Sequence, residues 1–163
     1  MSSKYNKWER YHNRFNMIFN GIIAVPMIPF AFFFLETQKE FPDSPLLTGS
    51  IAIWVEVILV LVAVIAIAYS QMFRKQIRFA VGQEKSIEEK LDAYLHWNTR
   101  QYFILTVATI AAITGLFLMK EQLFSVLYVV VLFIFSLTRP NFDKTVRETG
   151  IPESELTEWG KEF

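Results

Sequence analysis

The sequence predicts an all-α polytopic integral membrane protein: a four-helix transmembrane bundle with short interfacial amphipathic helices. Two observations carry this. Four long apolar runs fill much of a chain of only 163 residues. The basic residues are confined almost entirely to alternate connections between those runs. A hydrocarbon core about 30 Å thick takes roughly 17–25 helical residues to cross. The runs at 16–35, 50–72 and 102–119 reach that length unaided. The fourth, 121–138, reaches it with Glu121, Gln122 and Thr138 in the headgroup region.

Charge sets the expected orientation. Fourteen of the 16 lysines and arginines lie in residues 1–15, in the connection 73–101 and in the tail 139–163; only Lys39 and Lys120 lie on the opposite side. Basic flanks resist translocation, which predicts both termini on the cytoplasmic side. The first outer connection is acidic (Glu36, Glu40, Asp43), and Pro42 and Pro45 mark an irregular turn there. The first run does not read as a cleaved signal, because Phe32-Phe33-Phe34-Leu35-Glu36 offers no small-residue cleavage site. Together these features suggest a bacterial-type inner membrane. Cysteine is absent, which excludes disulfides, thiolate metal sites and cysteine nucleophiles.

Residues 1–15 read as a cytoplasmic interfacial segment. Trp8, Tyr11 and Phe15 share one helical face and Lys7, Arg10 and Arg14 the other, the pattern of an aromatic anchor at headgroup depth. In the first span Pro26 and Pro29 each remove a helical hydrogen bond, which predicts a kink near 22–25 and makes both hinge candidates. After Gly82 the inner connection 82–98 opens on Ser86-Ile87-Glu88-Glu89, a capping box. Ile87, Leu91, Tyr94 and Leu95 follow on one face, so the segment lies on the membrane or extends the third span as a stalk.

The third span carries Ala108, Ala111, Ala112 and Gly115, small residues that let helix backbones approach closely within or between protomers. Spans three and four are joined by little more than Lys120-Glu121-Gln122 and must form a tight hairpin. The fourth span lacks a small-residue motif, so much of it is expected to face lipid. In the C-terminal tail, 139–163, Asn141 is placed to cap a short helix that Gly150 ends, and Pro152 opens a further acidic turn.

Glu56 is the one charged residue deep in an apolar run. It lies about three residues, roughly 4–5 Å, from the middle of the second span. A carboxylate in hydrocarbon is costly, so it is expected protonated, paired or beside water. It marks a proton or cation site, or else a neutral acid hydrogen-bonded across a helix interface to Thr106, Thr109 or Tyr128.

Enzyme signatures are missing: the chain has no G-x-S-x-G and no glycine-rich phosphate loop. His12 and His96 are the only histidines and belong to the cytoplasmic boundary, away from where a bundle ligates haem. No cofactor and no metal are expected, and nothing points to nucleic acid. The expected partners are the bilayer, anionic lipid at the basic side, and either further copies of the chain or other membrane subunits.

Two four-span families share single features with the chain. Small multidrug transporters have an essential membrane glutamate, but in their first span and without such long cytoplasmic segments. Trp54-Val55-Glu56 resembles the tryptophan–acid element of the small membrane subunits of tripartite carriers. The tight hairpin between spans three and four departs from that family, and no function is carried over from either. The leading expectation is a non-enzymatic accessory or scaffold subunit, or a structural homo-oligomer. The competing ones are an oligomeric proton or cation channel or transporter using Glu56, and a membrane sensor signalling through its cytoplasmic segments.

Overall fold

A computed structural model describes residues 7–39 and 44–161. Residues 1–6 of the N-terminal segment and the outer-loop residues Glu40, Pro42 and Asp43 lie outside the described residues. Every regular element among the described residues is a helix: α1 (Lys7–Thr37), α2 (Gly49–Gly82), α3 (Ile87–Met119), α4 (Gln122–Thr138), α5 (Phe142–Thr149) and α6 (Glu153–Lys161). Among these, α1, α2 and α3 are long and apolar enough to cross a membrane, and α4 with α5 makes a fourth if the pair counts as one broken span. α1 runs unbroken through Pro26 and Pro29.

The chain divides into two compact units, one of residues 1–20, 72–101 and 139–163 and the other of 21–71 and 102–138. We call them the polar unit and the apolar unit.

In the apolar unit α3 is the central helix. Its most apolar window is 56% buried, against 11% for those of α1 and α2. The composition of α3 explains this. Ala108, Ala111 and Ala112 are all buried, and Gly115 carries the ring of Phe124 where a side chain would otherwise stand. The small-residue face is therefore buried inside the protomer, and at Gly115 its cover is Phe124 of the hairpin partner. On the outside, Val25, Ile28, Trp54, Ile58, Ile65, Val129 and Phe133 are exposed, an apolar surface of the kind that faces lipid or another membrane chain.

The α3–α4 turn is as short as its sequence requires. Lys120 adopts a left-handed conformation (φ 57°), and its N–H bonds the Leu116 carbonyl at 3.0 Å, an αL cap. The Leu118 carbonyl accepts from the N–H groups of both Leu46 (2.9 Å) and Leu47 (3.2 Å). The α1–α2 connection thus caps α3, and both connections lie at one end of this unit, the loop end.

The polar unit gathers three segments that are far apart in sequence. The Ser86 hydroxyl accepts from the Glu89 N–H (3.1 Å) and the Glu89 carboxylate from the Ser86 N–H (3.2 Å), the expected capping box. It starts α3 only a few residues after α2 ends, so 87–101 is a continuation of the third span. Asn141 caps α5 through the Lys144 N–H (2.8 Å), and Gly150 ends it at φ 66°, both as the sequence predicts.

Leu91, Ile151 and Leu156 form a small core, against which Trp8, Tyr11, Phe142, Val146 and Trp159 pack. The Tyr11 hydroxyl donates to the Leu91 carbonyl at 3.0 Å, and Trp8 meets Phe142 edge-on. The aromatic face of 8–15 is therefore turned into protein. Helices α5 and α6 supply apolar partners for it, and Phe15 is only 1% exposed.

Candidate functional site

The inward stripe of α2 can be followed residue by residue. Ala63, Ala66, Ser70, Phe73, Ile77 and Val81 are all buried, at spacings of three and four. Continued toward the N-terminus, the same spacing passes through Leu59, which packs on the cluster of Leu116, Met119 and Phe124, and reaches Glu56. Glu56 is accordingly half-buried on the bundle side of α2, not on its lipid side. Among the described residues it has no hydrogen bond and no ion pair.

Its level can be read from helix rise. Glu56 follows Gly49 by seven residues, about 10 Å from the loop end. Tyr128 follows Gln122 by six, about 9 Å. Phe30 precedes Thr37 by seven, again about 10 Å. Phe30 and Tyr128 stack face to face, with centroids 3.7 Å apart and planes within 7°. One layer of the apolar unit thus carries Phe30 on α1, Glu56 on α2 and Tyr128 on α4.

The Tyr128 hydroxyl is buried and has no hydrogen-bond partner. Neither has the Ser125 hydroxyl, one turn nearer the loop end on the same face of α4. A buried hydroxyl without a partner costs about 1–3 kcal/mol.

The other two sequence candidates belong elsewhere. The Thr106 hydroxyl donates to the Tyr102 carbonyl (2.9 Å) and that of Thr109 to the Thr106 carbonyl (2.7 Å). Both are satisfied by their own helix. They precede Met119 by thirteen and ten residues, so they sit about 20 and 15 Å from the loop end. Pro26 is buried one turn from Phe30, and Pro29 is half-buried beside it in the chain, so both hinge candidates border the Glu56 layer.

The polar unit holds a second concentration of charge. Lys144 is 8% exposed, and burial brings its ammonium down to about 8 from the ordinary 10.5. The Glu148 carboxylate acts against that fall, while Arg74 and Arg147 add to it. Glu148 accepts from the Tyr94 hydroxyl at 2.8 Å. The Arg74 Nε is buried without a hydrogen-bond partner.

Sequence reasoning counted Lys144 only as a tail charge. Its signal was the polar face of α5, where Lys144, Thr145, Glu148 and Thr149 recur at helical spacing. His12 stacks on Trp8, and burial, then Arg139, lowers its pKa. His96 is exposed in the same unit. Among the described residues no three His, Asp or Glu side chains converge as a metal would need.

A cavity of about 470 Å³ opens at the loop end among Phe32, Phe33, Leu46, Leu116 and Phe117, with Glu36, Ser44 and Lys120 as its polar members. Glu36 pairs with Lys39 at 2.6 Å. No protein-family model, no curated protein and no solved structure matches this chain.

Proposed function

We propose that the chain is a non-enzymatic subunit of a membrane assembly, carrying a folded docking body on the cytoplasmic face with both termini inside, in a bacterial-type inner membrane. The observation behind this reading is the investment of nearly all the basic, non-spanning sequence in one compact unit with its own core. Loops that serve only to connect spans need no core. A body of three long helix ends and two short helices offers a partner a surface that costs little ordering entropy to bind. The exposed apolar faces of α1 and α2 give a second contact region within the bilayer.

The test is native mass spectrometry of the protein extracted mildly from its own membrane. Stoichiometric foreign subunits are the expected result. A chain that is released alone or only as copies of itself overturns the accessory role.

A second reading draws on the Glu56 layer: a proton or cation path in which the carboxyl loads and unloads. The unpartnered Glu56 and the unpartnered Tyr128 hydroxyl at one level favour it. For this reading, Glu56→Gln in proteoliposomes abolishes a pH-gradient-driven flux seen with the wild type while the protein still elutes as a folded species. Flux equal in the two proteins removes the reading.

A further inference from the structure

We propose that an open face of α2 docks a transmembrane helix of a foreign subunit, and that a lysine or arginine of that helix pairs with Glu56. The inference rests on the readings that 50–72 spans a membrane and that the chain is a subunit of an assembly, and it names the chemistry of the partner. Ile53, Val57, Val60, Val64 and Ile67 recur along α2 at alternating spacings of four and three. Ile53, Val57 and Val64 are 61%, 45% and 51% exposed, so the rest of the chain leaves this stripe open. Val60 and Ile67 are partly open. β-Branched side chains repeating about every 3.5 residues make the seam that a second helix fills, knob into hole. Contact with lipid chains asks for apolar residues but for no such period.

Glu56 stands at the border of this seam. At about 100° per residue it is turned roughly 40° from Val60 and roughly 60° from Ile53, with the inward stripe of Leu59 and Ala63 on its other side. Its half-burial fits that position. The residue flanking such a seam is where paired helices carry the charges that choose a partner. Among the described residues the Glu56 carboxyl has no hydrogen bond and no ion pair.

Depth and charge select the occupant. Glu56 lies six residues inside the second apolar run, about 9 Å from its loop-end edge. A lipid headgroup stays at that edge. A second copy of this chain has no cation to offer, because none of the four apolar runs contains a lysine or arginine. It would also bring a second Glu56 to the same level. Ionised groups within membrane spans pair with one another. A basic side chain on a neighbouring foreign span supplies the cation that this chain lacks, and the seam places that span beside the carboxyl.

The experiment places the full chain in phosphatidylcholine vesicles with synthetic leucine-rich helices of about 21 residues, long enough to span. One helix carries a lysine about six residues, or 9 Å, from its end, the second a leucine there and the third a glutamate. Association is read by fluorescence transfer between labelled helix and labelled chain. The wild type is expected to bind the lysine helix about tenfold more tightly than the leucine helix. Glu56→Gln removes that preference, and Glu56→Lys transfers it to the glutamate helix. Circular dichroism should be unchanged in Glu56→Gln, since no hydrogen bond of the chain is lost. Equal binding of the lysine and leucine helices by the wild type, or a preference that survives Glu56→Gln, overturns the proposal. Native mass spectrometry of both forms from their own membrane separates the two levels of inference. Foreign subunits kept alike by the wild type and by Glu56→Gln remove the pairing and leave the assembly, whereas foreign subunits found with neither remove the assembly reading itself.

Discussion

Gly115→Val should destabilise the apolar unit by about 3 kcal/mol or more, the largest single-residue effect expected in the chain. A Cβ at Gly115 falls on the ring of Phe124, which is itself fully buried and has nowhere to go. Overpacking a filled core costs typically about 1–3 kcal/mol, and more where a branched side chain meets an immobile ring. Valine regains a few tenths of a kcal/mol in helix propensity over glycine, too little to offset that.

The turn adds to the effect. Lys120 already sits in a left-handed conformation, so the α3–α4 hairpin cannot open by a small adjustment of its connection. Thermal unfolding of the detergent-solubilised protein measures the loss. Phe124→Leu in the same chain should restore part of it, because the ring that the introduced valine would strike is gone. A double-mutant coupling of about 1–3 kcal/mol is expected for side chains in contact. Additive effects of the two substitutions would place the clash elsewhere.

Lys144→Met should act in the opposite direction and stabilise the polar unit. The folded chain releases the Lys144 proton near about 8, while the unfolded chain holds it up to the ordinary lysine value of 10.5. Between those values the unfolded state binds more protons, so the wild type gains stability as pH rises from about 8 to 10.5. Below that window it carries the whole penalty of keeping a buried ammonium.

Burial is the largest influence on Lys144, followed by the attraction of Glu148, four residues on in α5, and the repulsion of Arg74 of α2 and Arg147. Burial outweighs the attraction of Glu148, and Glu148 keeps its bond from Tyr94 when the ammonium is removed. Methionine matches the lysine stem in length and carries no charge to desolvate, so the net penalty that lowers the Lys144 pKa is absent from the variant at neutral pH. Unfolding midpoints measured from neutral pH to above the ordinary lysine range check both parts. The methionine variant should unfold later at neutral pH, and the rise across the Lys144 window should be absent from it. A variant that is less stable at neutral pH would mean that the Lys144 ammonium holds the unit together.

The features legible in the sequence are those encoded within a few consecutive residues. The apolar runs exist because a helix in hydrocarbon needs a set length of apolar side chains. The capping box at Ser86 and Glu89, the Asn141 cap and the Gly150 stop each act over three or four residues and were readable without tertiary information. The small residues of α3 stand out at helical spacing in the same way, and Glu56 stands out as the one charged residue deep in an apolar run.

What the tertiary structure decided is pairing. The α3 face could have met another protomer; at Gly115 it meets Phe124 of its own hairpin, which the short turn at Lys120 folds back onto α3. Tyr128 shares Glu56's level, and Thr106 and Thr109 do not, because the α1–α2 connection docks on the Leu118 carbonyl and sets which residues of different helices lie side by side. The segments at the start, middle and end of the chain looked like separate interfacial pieces. They close on one core through contacts such as Tyr94 with Glu148, 54 residues apart, and Tyr11 with Leu91, 80 apart. Hydropathy and spacing record which face of a helix avoids water. They carry no record of which distant apolar face will cover it, and that choice, made by shape and by the geometry of the turns, is what buried Lys144 and turned Trp8, Tyr11 and Phe15 into protein.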